Sequence, residues 1–287
     1  MLVLPDADDA ERVADWVELE LSLGEESFSK SKIASVVRDV AGAEPRETFV
    51  SDVWRHLRRR ALLYSTDFFE IHGDLAIRRA DVSLGRLEYQ VCLFFSLYGA
   101  AEQQGSKPKL FERMSAEAID RYVGGKTFMF GWPVLPEIQI EIGKRVKQVS
   151  ELLQERFIEA PPIRYKDRGV DIISWRPFAE PDVSDRRSGQ WVLLAQCAAG
   201  HNWPQKTSEL PLGSWVQYIH WATDPSVGFV VPCVIHDSLW HEITREVKGL
   251  VFDRVRLVNH LTTGVNDANL KSELEAWVEE QIIEHKV

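Results

Sequence analysis

Residues 168–175 read Arg168-Gly169-Val170-Asp171-Ile172-Ile173-Ser174-Trp175, and residues 189–197 read Gly189-Gln190-Trp191-Val192-Leu193-Leu194-Ala195-Gln196-Cys197. Each is a short apolar run bounded by glycine and polar residues, the pattern of a buried strand. The stretch between them is polar, so the pair reads as a β-hairpin. An acidic residue, Asp171, stands just before the first run, and Gln196 closes the second. Two oxygen-bearing side chains then project from neighbouring strands toward one point.

Working outward, residues after 163 alternate short apolar runs at 169–175, 190–197 and 227–234 with helical patterns near 203–222 and 237–249. A further strand is expected over Gly249–Leu257 and a closing helix over 267–285. This order predicts an α/β layer fold. Upstream, a long amphipathic helix is expected over Ile138–Phe157, ended by Pro161-Pro162, and another over Leu110–Val123, ended by Gly124-Gly125. Residues 102–109 read as a loop and Lys126–Pro136 as a connector, because glycine and proline punctuate them. The domain boundary is set near residue 130, giving 1–130 and 131–287.

The first part is α-rich. Helices are expected over 8–21, Lys32–Ala41, Ser51–Leu63 with Ser51 as N-cap, and Leu84–Ala101. Between the last two, Phe68–Ile71 and Leu75–Arg78 read as a hairpin around His72-Gly73-Asp74. Helix, helix, hairpin is a winged-helix-like layout. Its third helix carries Arg55, Arg58, Arg59 and Arg60, which suit phosphate contacts or an acidic partner.

The chain has 287 residues, 45% hydrophobic and 27% charged, with 10 Trp and 13 Phe, enough apolar material for one large or two smaller cores. The net charge of -10 argues against non-specific coating of nucleic acid, which needs clustered cations. Cys92, Cys197 and Cys233 lack zinc-knuckle spacing and are odd in number, so a reducing cytoplasm is the expected home. The acidic start is unlike a signal peptide, and the longest apolar stretch, near Val91–Ala101, is too short to span a bilayer, so no membrane role is expected.

Carboxylate oxygens suit Mg²⁺ or Mn²⁺, and a Gln carbonyl oxygen is a neutral ligand. The candidate metal ligands are Asp171, Gln196 and Glu155, the last near the end of the long helix, while Lys206 or His201 stabilises charge or carries a proton. Helix-Glu, strand-Asp, hairpin, strand-Gln resembles the PD-(D/E)xK nuclease superfamily, the restriction-endonuclease-like fold, over about residues 145–260. The segment from Gly189 through Gln196 and His201 to Lys206 also resembles uncharacterised bacterial proteins of anti-phage defence loci. The resemblance implies a restriction-endonuclease-like α/β/α domain that cuts DNA with Mg²⁺ or Mn²⁺. It also implies a homodimer or complex, because cutting both strands needs two sites, and a helicase or other ATPase partner. One position departs from the pattern. The family's lysine, two residues after Glu or Gln, is Ala198 here. Lys206 is the first substitute, His201 the second and Lys166 the third.

Two other readings stand beside this one, and a third is rejected. A non-catalytic interaction subunit on the same fold would account for Ala198, Gln196 and the acidic charge together. An enzyme built on Cys197, with His201 as base, would need a thiol of depressed pKa. Gly124-Gly125-Lys126-Thr127 looks like the tail of a phosphate-binding loop, but Asp120 stands where that motif needs glycine, and no apolar strand precedes it. Trp203 reads as a packing residue.

Overall fold

The computed structural model describes residues 1–99, 107–138, 140–178 and 186–286. Along the chain come α1 (Ala10–Leu23), β1 (Ser27–Ser29), α2 (Lys30–Ala41), α3 (Glu47–Leu63), β2 (Phe69–His72), β3 (Leu75–Arg78) and α4 (Arg86–Tyr98). There follow α5 (Lys107–Val123), β4 (Lys126–Met129), α6 (Ile142–Leu153), β5 (Arg156–Phe157), β6 (Ile172–Arg176) and β7 (Trp191–Cys197). After a 3-10 turn at Trp203–Lys206 come α7 (Leu212–Tyr218), β8 (Ile219–His220), β9 (Ser226–Val230), α8 (Asp237–Val247), β10 (Leu250–Phe252), α9 (Arg254–His260) and α10 (Ala268–Glu284).

The chain folds as two compact units, Met1–Glu102 with Arg254–Val287, and Gln103–Asp253. The division differs from the one expected at residue 130, at both ends. Helix α5 packs against β4, β6 and β7, so it belongs with the sheet that follows it. Helix α10 packs against α4, so the last residues return to the first unit. Amphipathicity reveals that a helix has a buried face, but not which distant element covers it.

The first unit has the element order of a winged helix: helix, strand, two helices, then a hairpin whose second strand pairs with the first strand, in sheet order β1-β3-β2. Gly73, with φ of 59°, makes the expected turn of that hairpin. Helix α3 starts earlier than Ser51 suggested, with Arg46 at its N-cap. Its apolar stripe Val53, Trp54 and Leu57 is buried. Arg60 also faces inward and pairs with Asp15 (2.7 Å) and Glu18 (2.8 Å) of α1. It is therefore withdrawn from the expected phosphate contacts, whereas Arg55, Arg58 and Arg59 stay exposed. Arg254 completes the buried cluster at 2.6 Å from Asp15 and 2.9 Å from the Tyr64 hydroxyl.

The second unit is a five-stranded mixed sheet in order β10-β9-β7-β6-β4. Strands β4, β6 and β7 run antiparallel in turn, and β7, β9 and β10 run parallel. Helices cover the sheet, giving the expected mixed α/β class with an α-rich N-terminal region. Val146, Val149 and Leu153 of α6 and Trp215 and Tyr218 of α7 form one core with Ile173, Trp175, Val192 and Leu194 of the hairpin. Strands β9 and β10 pack on α8 through Phe229, Val251, Ile243 and Val247, with Trp203 against this cluster as a packing residue. Among the described residues, no helix is long and apolar enough to cross a membrane.

Several element boundaries moved. Lys126–Met129 is an edge strand paired with β6, not part of a connector. The long helix expected to Phe157 ends at Leu153, with Gln154 in the left-handed region at φ 58°. Residues 203–222 hold a 3-10 turn and a short helix, and only Leu250–Phe252 of the last expected strand is extended. Of the loop expected at 102–109, residues 102–106 lie outside the described residues and 107–109 open α5. Ala100 and Ala101 of the helix expected to Ala101, and residues 179–185 of the hairpin turn, also lie outside them.

Candidate active site

The antiparallel register Ile172↔Ala195 brings the start of β6 beside the end of β7. Asp171 therefore sits next to Gln196 and Cys197, as the hairpin reading required. Its backbone N–H donates to the Ala195 carbonyl (2.9 Å), and its Oδ2 accepts from the Cys197 backbone N–H (2.7 Å). One carboxylate oxygen is thus fixed by the neighbouring strand. The other, Oδ1, points at Gly131, just beyond β4. A Cβ on Gly131 would lie 2.5 Å from Asp171 Oδ1 and 2.9 Å from Glu112 Oε2. The two carboxylates therefore converge on the same small volume, which stays open because residue 131 has no side chain.

Glu112 comes from the middle of α5, and Lys109, one turn earlier, pairs its ammonium with Glu112 Oε2. All three side chains are largely buried. Burial, opposed by the Cys197 N–H and by Lys109 and Lys206 and reinforced by Asp167, pushes the Asp171 carboxyl up to about 6. Burial and the negative charge of Asp171 push Glu112 up to about 8, against the pull of Lys109. Two acids close together in a desolvated place resist ionising together. Such pairs concentrate at sites that bind cations or move protons.

The approach to Asp171 is also specialised. Arg168 takes a left-handed backbone, with φ of 58°, and Gly169 follows at 73°. A side chain other than glycine rarely adopts that region, at a cost of order 1 kcal/mol. The bend is held from both sides. Arg168 donates to the Tyr218 hydroxyl (3.2 Å) and Ser214 Oγ (3.0 Å), and the Gly169 N–H donates to Asp167 Oδ1 (3.0 Å).

The other expected site residues divide. Gln196 is buried at the strand end, and its amide donates to Glu209 Oε2 (3.0 Å). That bond engages the amide nitrogen and not the carbonyl oxygen. Lys206, at the end of the 3-10 turn, exerts a small downward pull on the Asp171 pKa. Ala198, where the resemblance leads one to expect a lysine, is buried in the cluster that packs under α8. His201 is exposed in the turn after β7. Lys166 lies over the Trp132 ring (5.6 Å).

Glu155 is not brought to this place. Its two oxygens accept from the Gly189 N–H (3.0 Å) and the Ala222 N–H (3.1 Å). Gly189 precedes the start of β7, whereas Asp171 meets its end, so Glu155 holds the opposite edge of the sheet. The acidic residue contributed by a helix is Glu112 instead. Its signal in the sequence was the stripe Lys109, Glu112 and Ser115, at helical spacing, beside the apolar stripe Phe111, Met114 and Ala118. Polar groups on an inward face need a purpose. Cys197 does not suit a nucleophile, because burial and then Asp171 and Glu112 raise its thiol well above the usual range. The glycine pair after α5 turns the chain into β4, and any side chain on Gly125 would strike the Trp175 carbonyl.

No protein-family model and no curated protein matches the sequence. Among solved structures, the chain is similar to restriction endonuclease FokI, with 10% identity and a TM-score of 0.21, over 92% of this chain and 44% of that one. It is likewise similar to FokI bound to DNA, with 10% identity and a TM-score of 0.21, over 94% of this chain and 47% of that one. The chain thus spans less than half the length of the FokI structures, and the likeness is weak.

Proposed function

We propose that this protein is a metal-dependent DNA endonuclease that hydrolyses phosphodiester bonds. The observation that carries the reading is the convergence of Asp171 Oδ1 and Glu112 Oε2 on the space beside Gly131. Hard oxygen donors of this kind suit Mg²⁺ or Mn²⁺. Lys109 offsets Glu112, and Asp171 is the acid that a divalent cation would neutralise in addition. The donor set therefore fits a divalent metal, held by Asp171 and Glu112 with the Gln196 carbonyl oxygen as a neutral third ligand. A cation there polarises the phosphoryl group and promotes attack by water.

The remaining roles belong to the chain. Asp171 is kept in one orientation by the Cys197 N–H, so only Oδ1 turns toward the substrate. Lys109 orients Glu112. Lys206 supplies positive charge for the phosphoryl oxygens, the role of the lysine that Ala198 replaces. In the first unit, the exposed Arg55, Arg58 and Arg59 of α3 contact phosphates. On this reading the protein cuts as a dimer or within a complex, beside a helicase or other ATPase, in bacterial defence.

Cleavage of supercoiled and linear DNA with Mg²⁺ or Mn²⁺ tests this reading. Asp171→Ala and Glu112→Gln should each lower the rate by about 10²–10³-fold or more, the scale on which a charge-stabilising group contributes. Lys206→Ala should lower the rate without removing metal binding. Ala198 and Gln196 favour a second reading, an inactive partner-binding subunit. A wild type that neither cuts nor binds metal by calorimetry would establish it.

A further inference from the structure

A cleft of about 920 Å³ is lined by Trp132, Ile140, Ile163, Arg164, Tyr165 and Lys166 among others. It is continuous with the site through the chain. Trp132 follows Gly131, and its backbone N–H donates to Asp167 Oδ2 (3.3 Å). Asp167 in turn follows Lys166, and its Oδ1 accepts from the Gly169 N–H (3.0 Å), two residues before Asp171. The cleft wall and the carboxylate pair therefore share two short segments, 131–132 and 166–171.

The lining pairs rings with cations. Lys166 Nζ lies 5.6 Å from the centre of the Trp132 ring. Arg164 lies 5.1 Å from the centre of Tyr165, whose other contacts are with the core that holds Trp215. Trp132 is 37% exposed, and the neighbouring Ile163 and Ile140 are 89% and 71% exposed. Glu137 and Glu141 also line the cleft, and Glu141 is paired with Lys144 at 3.1 Å.

A flat ring with a mobile cation over it is the element of a single-strand platform, where a base stacks and the flanking phosphate takes the charge. Duplex DNA offers phosphates to such a surface, but not an open base face. We propose that this cleft binds an unpaired DNA strand, with a base stacked on Trp132, and leads that strand to Asp171 and Glu112. The proposal rests on the nuclease reading of the site. It adds that the substrate is single-stranded at the point of cutting, as at a flap, a bubble or a frayed end. As a base seats on Trp132, the Lys166 ammonium swings from the ring to the adjoining phosphate.

The test is fluorescence anisotropy with a labelled thymidine-rich strand, its duplex and the RNA strand of the same sequence, on the full-length protein in EDTA. The strand should bind at least about tenfold more tightly than the duplex. Trp132→Ala should weaken strand binding about 5- to 150-fold, the range for one stacked base, and Trp132→Phe should restore most of it. Lys166→Ala should flatten the salt dependence by about 0.7 of a log unit per log unit of salt. Thermal melting of each variant checks folding, and failure of Trp132→Ala to fold leaves Lys166→Ala as the deciding variant. Equal affinity for strand and duplex, indifference to both substitutions, or preference for RNA would overturn the proposal. Because no metal is present, its outcome is separable from that of the nuclease reading. Normal strand binding without cutting sinks the nuclease alone, and normal cutting with unchanged strand affinity in Trp132→Ala sinks the cleft alone.

Discussion

Gly131 is the most constrained residue of the site. A methyl group there would enter the space between Asp171 Oδ1 and Glu112 Oε2 and come within 3.0 Å of the Asp171 Cα. Its φ lies outside the left-handed region, but the methyl group would crowd the Asp171 backbone and push the two segments apart. Gly131→Ala should therefore melt below the wild type, lose metal binding measured by calorimetry, and lose cutting. Glu112→Gln relieves the crowding of two acids but takes the carboxylate partner from the buried Lys109 ammonium. It should lower the melting midpoint of the metal-free protein by about 2–4 °C for each kcal/mol lost, and abolish cutting in the same preparation. A lower midpoint with cutting preserved would show that Glu112 is structural. At this scale the sequence exposed half of the pair. Asp171 stood out because a strand start is a special position, whereas Glu112 lay in a helix where every turn carries charge.

At the level of elements, the hairpin β6–β7 and its register carry the site, and they were legible from alternating glycine, polar and apolar residues. Strand β4 was not, because the Gly and Pro that follow it mask a four-residue run. Glu155 belongs to this scale, since it joins the turn before β7 to the segment after β8 through two backbone N–H groups. Glu155→Gln keeps one acceptor oxygen and loses the other. It should cost about 1–3 kcal/mol in denaturant unfolding, as for a buried donor left unpaired, while cutting proceeds at the wild-type rate. Loss of cutting in a folded Glu155→Gln protein would return that residue to the site.

For the molecule as a whole, stability in acid depends on the buried cluster of the first unit. Burial alone would raise the Asp15 pKa, but Arg254 and Arg60 outweigh it and bring the carboxyl to about 2. A carboxyl depressed on folding stabilises above its unfolded value, near 3.8, and loses that contribution as pH falls toward about 2. Unfolding of the first unit, followed by far-ultraviolet circular dichroism, should therefore steepen between about pH 4 and pH 2. Arg254→Met should weaken that unit by about 3–5 kcal/mol, because it leaves Asp15 and Glu18 short of a buried partner. In the Asp15→Asn variant the acid transition should flatten. An unaltered transition would mean that other carboxyls control it.

The sequence by itself determined the α/β class, the α-rich N-terminal region, the hairpin and the position of Asp171 beside Gln196. These rest on local signals: side-chain alternation, turn glycines and a polar residue at a strand end. Only the tertiary structure decided that α5 joins the sheet, that Glu112 and not Glu155 faces Asp171, that Arg60 turns inward, and that residues 254–287 return to the first unit. Each of these is a meeting of residues distant in sequence. Periodicity identifies a buried face, but the partner that buries it is chosen by packing across the whole chain.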